Sequence, residues 1–405
     1  MNHITIGKMK IGSTTTLVLI AFLVISSLAM VTLLSPGMAN AAKAPPLNSM
    51  MCTSLGGTWN LKTSTCTIPA VASGVASSSF AIPPKFTLDI IGSLTINTGV
   101  TIANSGTIIV ENAGGVNQSQ EFDDWETGIL VLGTLANSGT ITVENRNATT
   151  LPKGIVGTVG ISVWVSATNM SDRSTFLFGT LTNTGAINIQ NLNQTRGIEN
   201  IGTITNSPSG TITVANSGNG SSSVGIYNRV SYGPVLGTLT NEGSITIKNS
   251  GNNSFGIYSH GILVNSGVLI VNSLSGAYPG PNASLLFITG IYNSGAFTQT
   301  ASGTYYNYDG YVNLADPTNS AWGNFNNHGT MVNYGKLFTN GTFFTNGYTM
   351  INIGTINDTS TALLYDTGLQ TGSSMINYGT IYNYGTIERG EEYGICYDLV
   401  NGTGC

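Results

Sequence analysis

Residues 137–143, with the sequence NSGTITV, contain the pattern that decides the fold of this chain. The apolar residues Ile141 and Val143 alternate with threonines, so an extended strand here has one apolar side and one polar side. Asn and Gly tolerate the backbone conformations that a sharp corner requires. Because so short a strand cannot bury its apolar side alone, the pattern predicts strands that pack against copies of themselves.

The same unit recurs along the chain, as NTGVTIA from Asn97, NSGTIIV from Asn104, NTGAINI from Asn183, NEGSITI from Asn241 and NSGVLIV from Asn265. In a later stretch, asparagines 327, 333, 340, 346 and 352 are spaced 6, 7, 6 and 6 residues apart. A second repeat, Gly-Ile, recurs at intervals of 28 to 37 residues, beginning at Gly128, Gly160, Gly197, Gly225, Gly256 and Gly290. One coil is therefore expected to hold three strands and a loop of variable length.

These repeats predict an all-β fold, a parallel β-helix (β-solenoid) in which coils stack about 4.8 Å apart. Stacking pairs the backbone groups of neighbouring coils and aligns Ile141, Ile212 and Ile245 in one core. Asparagines at the corners can bond to their counterparts in the next coil and form a ladder. The repeat region should contain on the order of ten to fifteen coils.

The composition excludes several other classes of protein. Only 8% of the 405 residues are charged, against about 25% in ordinary domains, and 52 residues are glycine. Disorder requires more charge, and helical bundles require more strong helix formers. The formal net charge is −5, and the 13 lysines and arginines form no cluster after the N-terminal segment, so nucleic acid is not an expected partner.

The N-terminal segment has the features of a secretory signal. Lys8 and Lys10 precede an apolar run over residues 17–34, and small residues follow it up to Ala41. We expect residues 1–41 to be a cleaved signal peptide, with an uncleaved membrane anchor as the alternative, and an extracellular or cell-surface location in either case.

Four cysteines lie near the two ends of the exported region. The ends of a rod are too far apart for a disulfide, which leaves Cys52 with Cys66 and Cys396 with Cys405. We therefore predict disulfide-linked terminal caps at residues 42–84 and 388–405, on either side of solenoid repeats at 85–387. A zinc site is the alternative for these cysteines, but the sequence has no CxxC motif.

Ten Asn-x-Ser/Thr sequons would suit a glycosylated exterior, at Asn117, Asn147, Asn169, Asn193, Asn219, Asn252, Asn282, Asn340, Asn357 and Asn401.

The combination of Gly-Ile-Tyr-Asn, Gly-Thr-Leu-x-Asn and x-Gly-x-Ile-Thr-Val resembles the passenger β-solenoids of autotransporter and two-partner-secretion (filamentous haemagglutinin-like) surface adhesins over residues 90–387. The resemblance implies a right-handed β-helix on the outside of a cell. Its motifs specify the fold well and the function poorly.

One dense acidic group lies between early repeats, in the sequence EFDDWE that begins at residue 121. Its carboxylates are candidates for glycoside hydrolysis or for Ca²⁺ binding, and the alternative is a solvated loop. The candidate metal ligands are Glu121, Asp123, Asp124 and Glu126.

Aromatic residues offer a candidate ligand-contact surface, and they are Trp125, Tyr305, Tyr306, Tyr308, Tyr311 and Trp322. For the late residues from Tyr305 onwards, core packing is favoured over ligand contact. His260 and His328 have no nucleophile partner that the sequence reveals. The sequence indicates no cofactor and no catalytic residue.

The function predicted from these features is that of a secreted or cell-surface, structural or adhesin-like protein that presents loops on a rigid rod. Its expected partner is a component of a cell surface or extracellular matrix, such as a polysaccharide. Two alternatives are a secreted polysaccharide-active enzyme of the glycoside hydrolase or polysaccharide lyase type, and a subunit of an extracellular filament or surface layer.

Overall fold

The computed structural model describes residues 44–70, 72–112, 125–145, 157–167, 176–192, 195–217, 223–230, 236–249, 254–273, 288–309, 325–327, 329–340, 343–346, 349–352, 355–358, 363–366, 374–377, 380–383 and 386–389. It contains one helix, α1 (Ser49–Ser54), in this part of the chain, and 38 strands that are numbered in chain order.

Sheet I contains 12 strands, β3 (Ser73–Ala76), β6 (Ser93–Ile96), β9 (Trp125–Val131), β12 (Gly157–Val163), β17 (Thr195–Asn200), β20 (Ser223–Asn228), β23 (Ser254–Ser259), β26 (Ile288–Asn293), β29 (Phe325–Asn327), β32 (Phe343–Asn346), β35 (Leu363–Asp366) and β38 (Thr386–Arg389).

Sheet II contains 11 strands, β4 (Phe80–Ile82), β7 (Thr101–Asn104), β10 (Thr134–Asn137), β15 (Thr180–Asn183), β18 (Thr203–Asn206), β21 (Thr238–Asn241), β24 (Ile262–Asn265), β27 (Ala296–Gln299), β30 (Thr330–Asn333), β33 (Thr349–Asn352) and β36 (Ser374–Asn377).

Sheet III contains 13 strands, β1 (Thr58–Asn60), β2 (Thr65–Ile68), β5 (Thr87–Ile90), β8 (Thr107–Asn112), β11 (Thr140–Asn145), β16 (Ala186–Asn191), β19 (Thr211–Asn216), β22 (Ser244–Asn249), β25 (Val268–Ser273), β28 (Thr304–Asp309), β31 (Lys336–Asn340), β34 (Thr355–Asp358) and β37 (Thr380–Asn383). Two further strands, β13 (Val165–Ala167) and β14 (Phe176–Phe178), form an antiparallel hairpin between sheets I and II.

The order of strands within the three sheets confirms the predicted parallel β-helix. The chain passes through sheets I, II and III in turn and then returns to the next strand of sheet I. The 11 strands of sheet II correspond to 11 complete coils in the described part of the chain, which agrees with the coil number predicted from the repeats. Each coil pairs in parallel with its two neighbours, so backbone hydrogen bonds run along the rod.

The core is a set of straight columns, because the strands stack without a shift in register. In sheet III, Ile187 lies opposite Ile141 and Ile212, and Ile212 lies opposite Ile245. All of these side chains are buried, whereas the residues between them face outward. The alternation in the NSGTITV pattern therefore predicted the correct face of the strand.

Asparagine ladders join the coils at the corners, as the sequence predicted. At the end of the sheet II strands, buried side chains bond from one coil to the next with distances of 2.7 to 2.8 Å, in the series Asn104, Asn137, Asn183, Asn206, Asn241 and Asn265. Shorter ladders join Asn145 to Asn191 at the end of sheet III and Asn200 to Asn228 at the end of sheet I. These bonds satisfy amide groups that would otherwise be buried without partners.

The Gly-Ile repeat marks a close approach between coils in sheet I. A Cβ atom on Gly225 would lie 2.6 Å from the carbonyl oxygen of Gly256, and one on Gly197 would lie 2.6 Å from that of Gly225. Real Cβ atoms do not approach backbone atoms so closely. The glycines recur once per coil because no larger residue fits this column.

The N-terminal end of the rod is closed by α1 and a disulfide. The side chain of Asn48 caps the helix by accepting from the backbone N–H of Met51. The predicted disulfide between Cys52 and Cys66 is confirmed, and Cys52 and Leu55 are buried at the end of the core. Strands β2, β3 and β4 also lie within the segment predicted as this cap. Cys396 and Cys405 lie outside the described residues.

Candidate functional site

The acidic group singled out in the sequence lies largely outside the described residues. This applies to Glu121, Asp123 and Asp124, whereas Trp125 and Glu126 begin β9 and only their backbone is described. Their proposed role in metal binding therefore stays a prediction. In the described ranges of the chain, no group of three or more His, Cys, Asp or Glu side chains could hold a metal ion.

Among the late aromatic candidates, the structure describes the side chains of Tyr305 and Tyr306, which face opposite sides of β28. Tyr305 is fully buried and packs edge-on against Phe297 at a ring distance of 6.5 Å, so it belongs to the core and not to a contact surface. Tyr306 points outward from sheet III, because neighbouring residues of a strand face opposite sides. Tyr308 lies in β28, with only its backbone described, and Tyr311 and Trp322 lie outside the described residues.

The structure brings together a different set of side chains, on the outside of sheet I and at its corner with sheet II. We call this set the tyrosine–arginine patch. Its members are Trp164, Arg196, Glu199, Tyr227, Arg229, Phe255, Tyr258, His260, Tyr292 and Ser294.

Parallel register creates the aromatic part of the patch. Tyr227, Tyr258 and Tyr292 occupy the same position on successive strands β20, β23 and β26, and Glu199 occupies it on β17. The rings of Tyr258 and Tyr292 stack in parallel at 4.6 Å, and Tyr227 meets Tyr258 edge-on at 5.3 Å. The three rings therefore form a continuous aromatic row along the outside of sheet I.

Two arginines and one glutamate form the charged part of the patch. The Glu199 side chain is 5% exposed and accepts from Nη1 of Arg196 at 3.0 Å and from Nη1 of Arg229 at 2.9 Å. Arg196 lies over the ring of Tyr227 at 4.6 Å, and Arg229 lies over the ring of Trp164 at 5.7 Å. Each guanidinium therefore has both an ionic and an aromatic contact, which fixes its position.

His260 contacts both parts of the patch. Its Nδ1 atom is in hydrogen-bonding contact with the hydroxyl of Ser294, and its ring lies 4.7 Å from that of Tyr258. The sequence did not reveal this neighbour of His260, because the corner positions of adjacent coils place Ser294 beside it. Burial, and then the positive charge of Arg229, lowers the pKa of His260 below its usual value, so the neutral ring is favoured.

The chemistry of these groups favours binding. The Ser294–His260 pair resembles part of a hydrolytic triad, but the charge acting on His260 is that of a cation, whereas a triad has a carboxylate at this place. Burial raises the pKa of Tyr258 to about 12 and raises that of Tyr292, so both phenols stay protonated. The patch thus offers hydroxyl donors and acceptors beside guanidinium groups. Tyr, Trp and Arg are the residue types that dominate the binding energy of interfaces.

The sequence contained a signal for this patch that the search for motifs missed. Aligning the Gly-Ile units at Gly197, Gly225, Gly256 and Gly290 places Glu, Tyr, Tyr and Tyr in one column. In the prediction of the fold, the Gly-Ile units define only the length of a coil. The arginines do not follow from this alignment, because the position of Arg196 holds Val224 and Phe255 in the next two units and Arg229 lies at a corner beyond the repeated motif.

Comparison with known proteins does not assign this chain to a family. No protein-family model matches the chain, and no curated protein matches it. The class that the structure itself defines is that of the parallel β-solenoid proteins. Among the described residues, no helix is long and apolar enough to span a membrane.

Proposed function

We propose that the chain is a secreted or cell-surface rod with a structural or adhesin-like function, and that the tyrosine–arginine patch is its contact site. The export signal predicted at residues 1–41 supports the location. The solenoid supports the role of a rigid spacer, since its coils are joined by continuous backbone pairing and by buried asparagine ladders.

The observation that carries this proposal is the row of contacts on successive coils from Arg229 through Tyr227 and Tyr258 to Tyr292. Rigid aromatic rings and planar guanidinium groups lose little conformational entropy when they bind, because their neighbours already hold them in place. Hydroxyl and guanidinium groups in a row suit a polymer rich in hydroxyl and carboxylate groups. The partner that fits this chemistry best is a polysaccharide of a cell surface or extracellular matrix.

Two alternative functions, an enzyme and a filament subunit, belong to other classes of protein. A polysaccharide-active enzyme would use the Ser294–His260 pair or the acidic residues near β9, and would release new reducing ends from its substrate. A filament or surface-layer subunit would join its rod ends, so its assembly would be unaffected by changes in the patch.

A binding experiment with alginate and dextran tests the proposal. The exported full chain should be retained on immobilised alginate more strongly than on dextran, because only alginate carries carboxylates. Replacing Arg229→Gln or Tyr292→Ala should weaken retention about tenfold, whereas Tyr334→Ala, at the corner that follows β30, serves as the matched aromatic control. Equal retention of all four proteins would contradict the proposed site, and new reducing ends would favour the enzyme.

A further inference from the structure

The outer face of sheet III carries a pattern that the tyrosine–arginine patch does not use. Six successive strands, from β8 to β25, each present three outward side chains, none of which is buried. In-register pairing arranges them in three columns. The first column is Thr107, Thr140, Ala186, Thr211, Ser244 and Val268; the second is Ile109, Thr142, Asn188, Thr213, Thr246 and Ile270; the third is Glu111, Glu144, Gln190, Ala215, Lys248 and Asn272.

The second and third columns contain complementary pairs about a point midway between β16 and β19. In the second column, Ile109 and Ile270 lie at equal distances from this midpoint, as do Thr142 and Thr246. In the third column, Glu144 and Lys248 lie at equal distances from it. Two isoleucines are thus matched with each other, two threonines with each other and a carboxylate with an ammonium group, whereas the first column places Thr107 opposite Val268.

We propose that a second copy of this chain packs on this face to form an antiparallel dimer. The two copies are related by a two-fold axis that runs parallel to the strands and lies between the two sheets at the midpoint. This axis reverses the order of the coils in the second copy and keeps the direction of its strands. It places Glu144 opposite the partner's Lys248 and Ile109 opposite the partner's Ile270. Every contact then occurs twice, as a closed two-fold interface requires.

The size of the face agrees with such a dimer. The same midpoint is the centre of the ten strands from β2 to β31 of sheet III, which places Asp89 of β5 opposite the partner's Tyr306. At the spacing of strands and residues in a sheet, these ten strands cover about 48 Å by 17 Å, or roughly 800 Å² per partner, the standard size of a specific interface.

The dimer goes beyond the proposed function, because it uses sheet III, whereas the patch lies on sheet I and its corner with sheet II. Two rods joined through sheet III leave both patches uncovered. Two patches on one particle would increase retention on a polymer with repeated sites, without any new contact.

Charge exchange between positions 144 and 248 tests the antiparallel arrangement. Sedimentation equilibrium of the exported full chain at tens of micromolar should show a dimer. Lys248→Glu alone, or Glu144→Lys alone, creates two like-charge contacts per dimer and should weaken association about tenfold. An equimolar mixture of the two single variants should regain native affinity, because each altered position then faces its opposite charge, and the double variant should regain it as a homodimer.

Recovery in the mixture separates this proposal from loss of folding, since a misfolded chain would not recover. Thr205→Glu, on the outer face of sheet II, is the matched control and should leave association unchanged. A native chain that stays monomeric would overturn the proposal, and so would single variants that dimerise as well as the native chain or a mixture that shows no recovery. None of these results bears on alginate binding by single rods, so failure of the dimer and failure of the contact site are distinguishable.

Discussion

The side-chain amide of Asn183 donates a hydrogen bond to the side-chain oxygen of Asn206 on the next coil, at 2.8 Å and fully buried. Asn206 in turn donates to the side-chain oxygen of Asn241 at 2.8 Å and to the backbone oxygen of Ser244 at 3.1 Å. One amide group thus connects three coils through the corner of the rod.

Replacing Asn206→Ala should therefore destabilise the middle of the solenoid by about 3 kcal/mol, because buried partners on both sides lose their bonds. The urea midpoint, followed by circular dichroism, measures this effect. Asn188→Ala is the matched control, since Asn188 is exposed on the outer face of sheet III and should change stability by less than about 0.5 kcal/mol. Equal midpoints for the two variants would show that the ladder contributes nothing.

The two sides of a sheet III strand should respond very differently to the same charge. Ile245 is buried in the core column, whereas its neighbour Thr246 faces outward. Ile245→Asp places an unpaired carboxylate in an apolar column and should cost several kcal/mol, about 3 or more. Thr246→Asp should cost much less, and comparable unfolding midpoints would contradict the direction of the side chains.

The sequence was sufficient to predict the fold because each repeat determines the structure of its own coil, and every coil has the same three-strand arrangement. Alternation identified the inward face at Ile141, Ile212 and Ile245, and the spacing of asparagines identified the corners. The Cys52–Cys66 bridge followed from the geometry of a rod. These features depend on neighbours within one coil or on the coil next to it.

The tyrosine column could be predicted by aligning the Gly-Ile units, but the contacts of Arg229 and His260 could not, because they depend on register at corners between coils whose loops differ in length. Arg229 and Glu199 are 30 residues apart, and His260 and Ser294 are 34 residues apart. The burial of Tyr305 also depends on register, since alternation within TYYNYD alone does not show which tyrosines face inward. A register for strand β28 was needed to decide this.

The lowered pKa of His260 should make the rod less stable in mild acid. The folded state favours the neutral ring, so the unfolded chain binds a proton first as the pH falls below its pKa of about 6.5. Stability that is present above this pH is then lost as the pH falls towards the lower pKa of the folded state. The urea midpoint at pH 7.5 and at pH 5.5 measures the loss.

His260→Gln is the control for this effect, because glutamine does not titrate. The variant should show a smaller change in midpoint between the two pH values than the native chain. If native and variant proteins lose the same stability, the titration of His260 is not coupled to folding.

The Cys52–Cys66 disulfide should stabilise the end of the rod more than its middle. The two cysteines are separated by 14 positions, and a loop of this size corresponds to about 3 kcal/mol of chain entropy. Because coils interact only with their neighbours, replacing both cysteines by serine should increase amide exchange in β2 to β4 while exchange in β18 to β22 stays slow. Hydrogen exchange with mass spectrometry resolves these segments, and the native chain under the same conditions is the control. A uniform increase along the whole rod would show that the solenoid unfolds as one unit, contrary to this prediction.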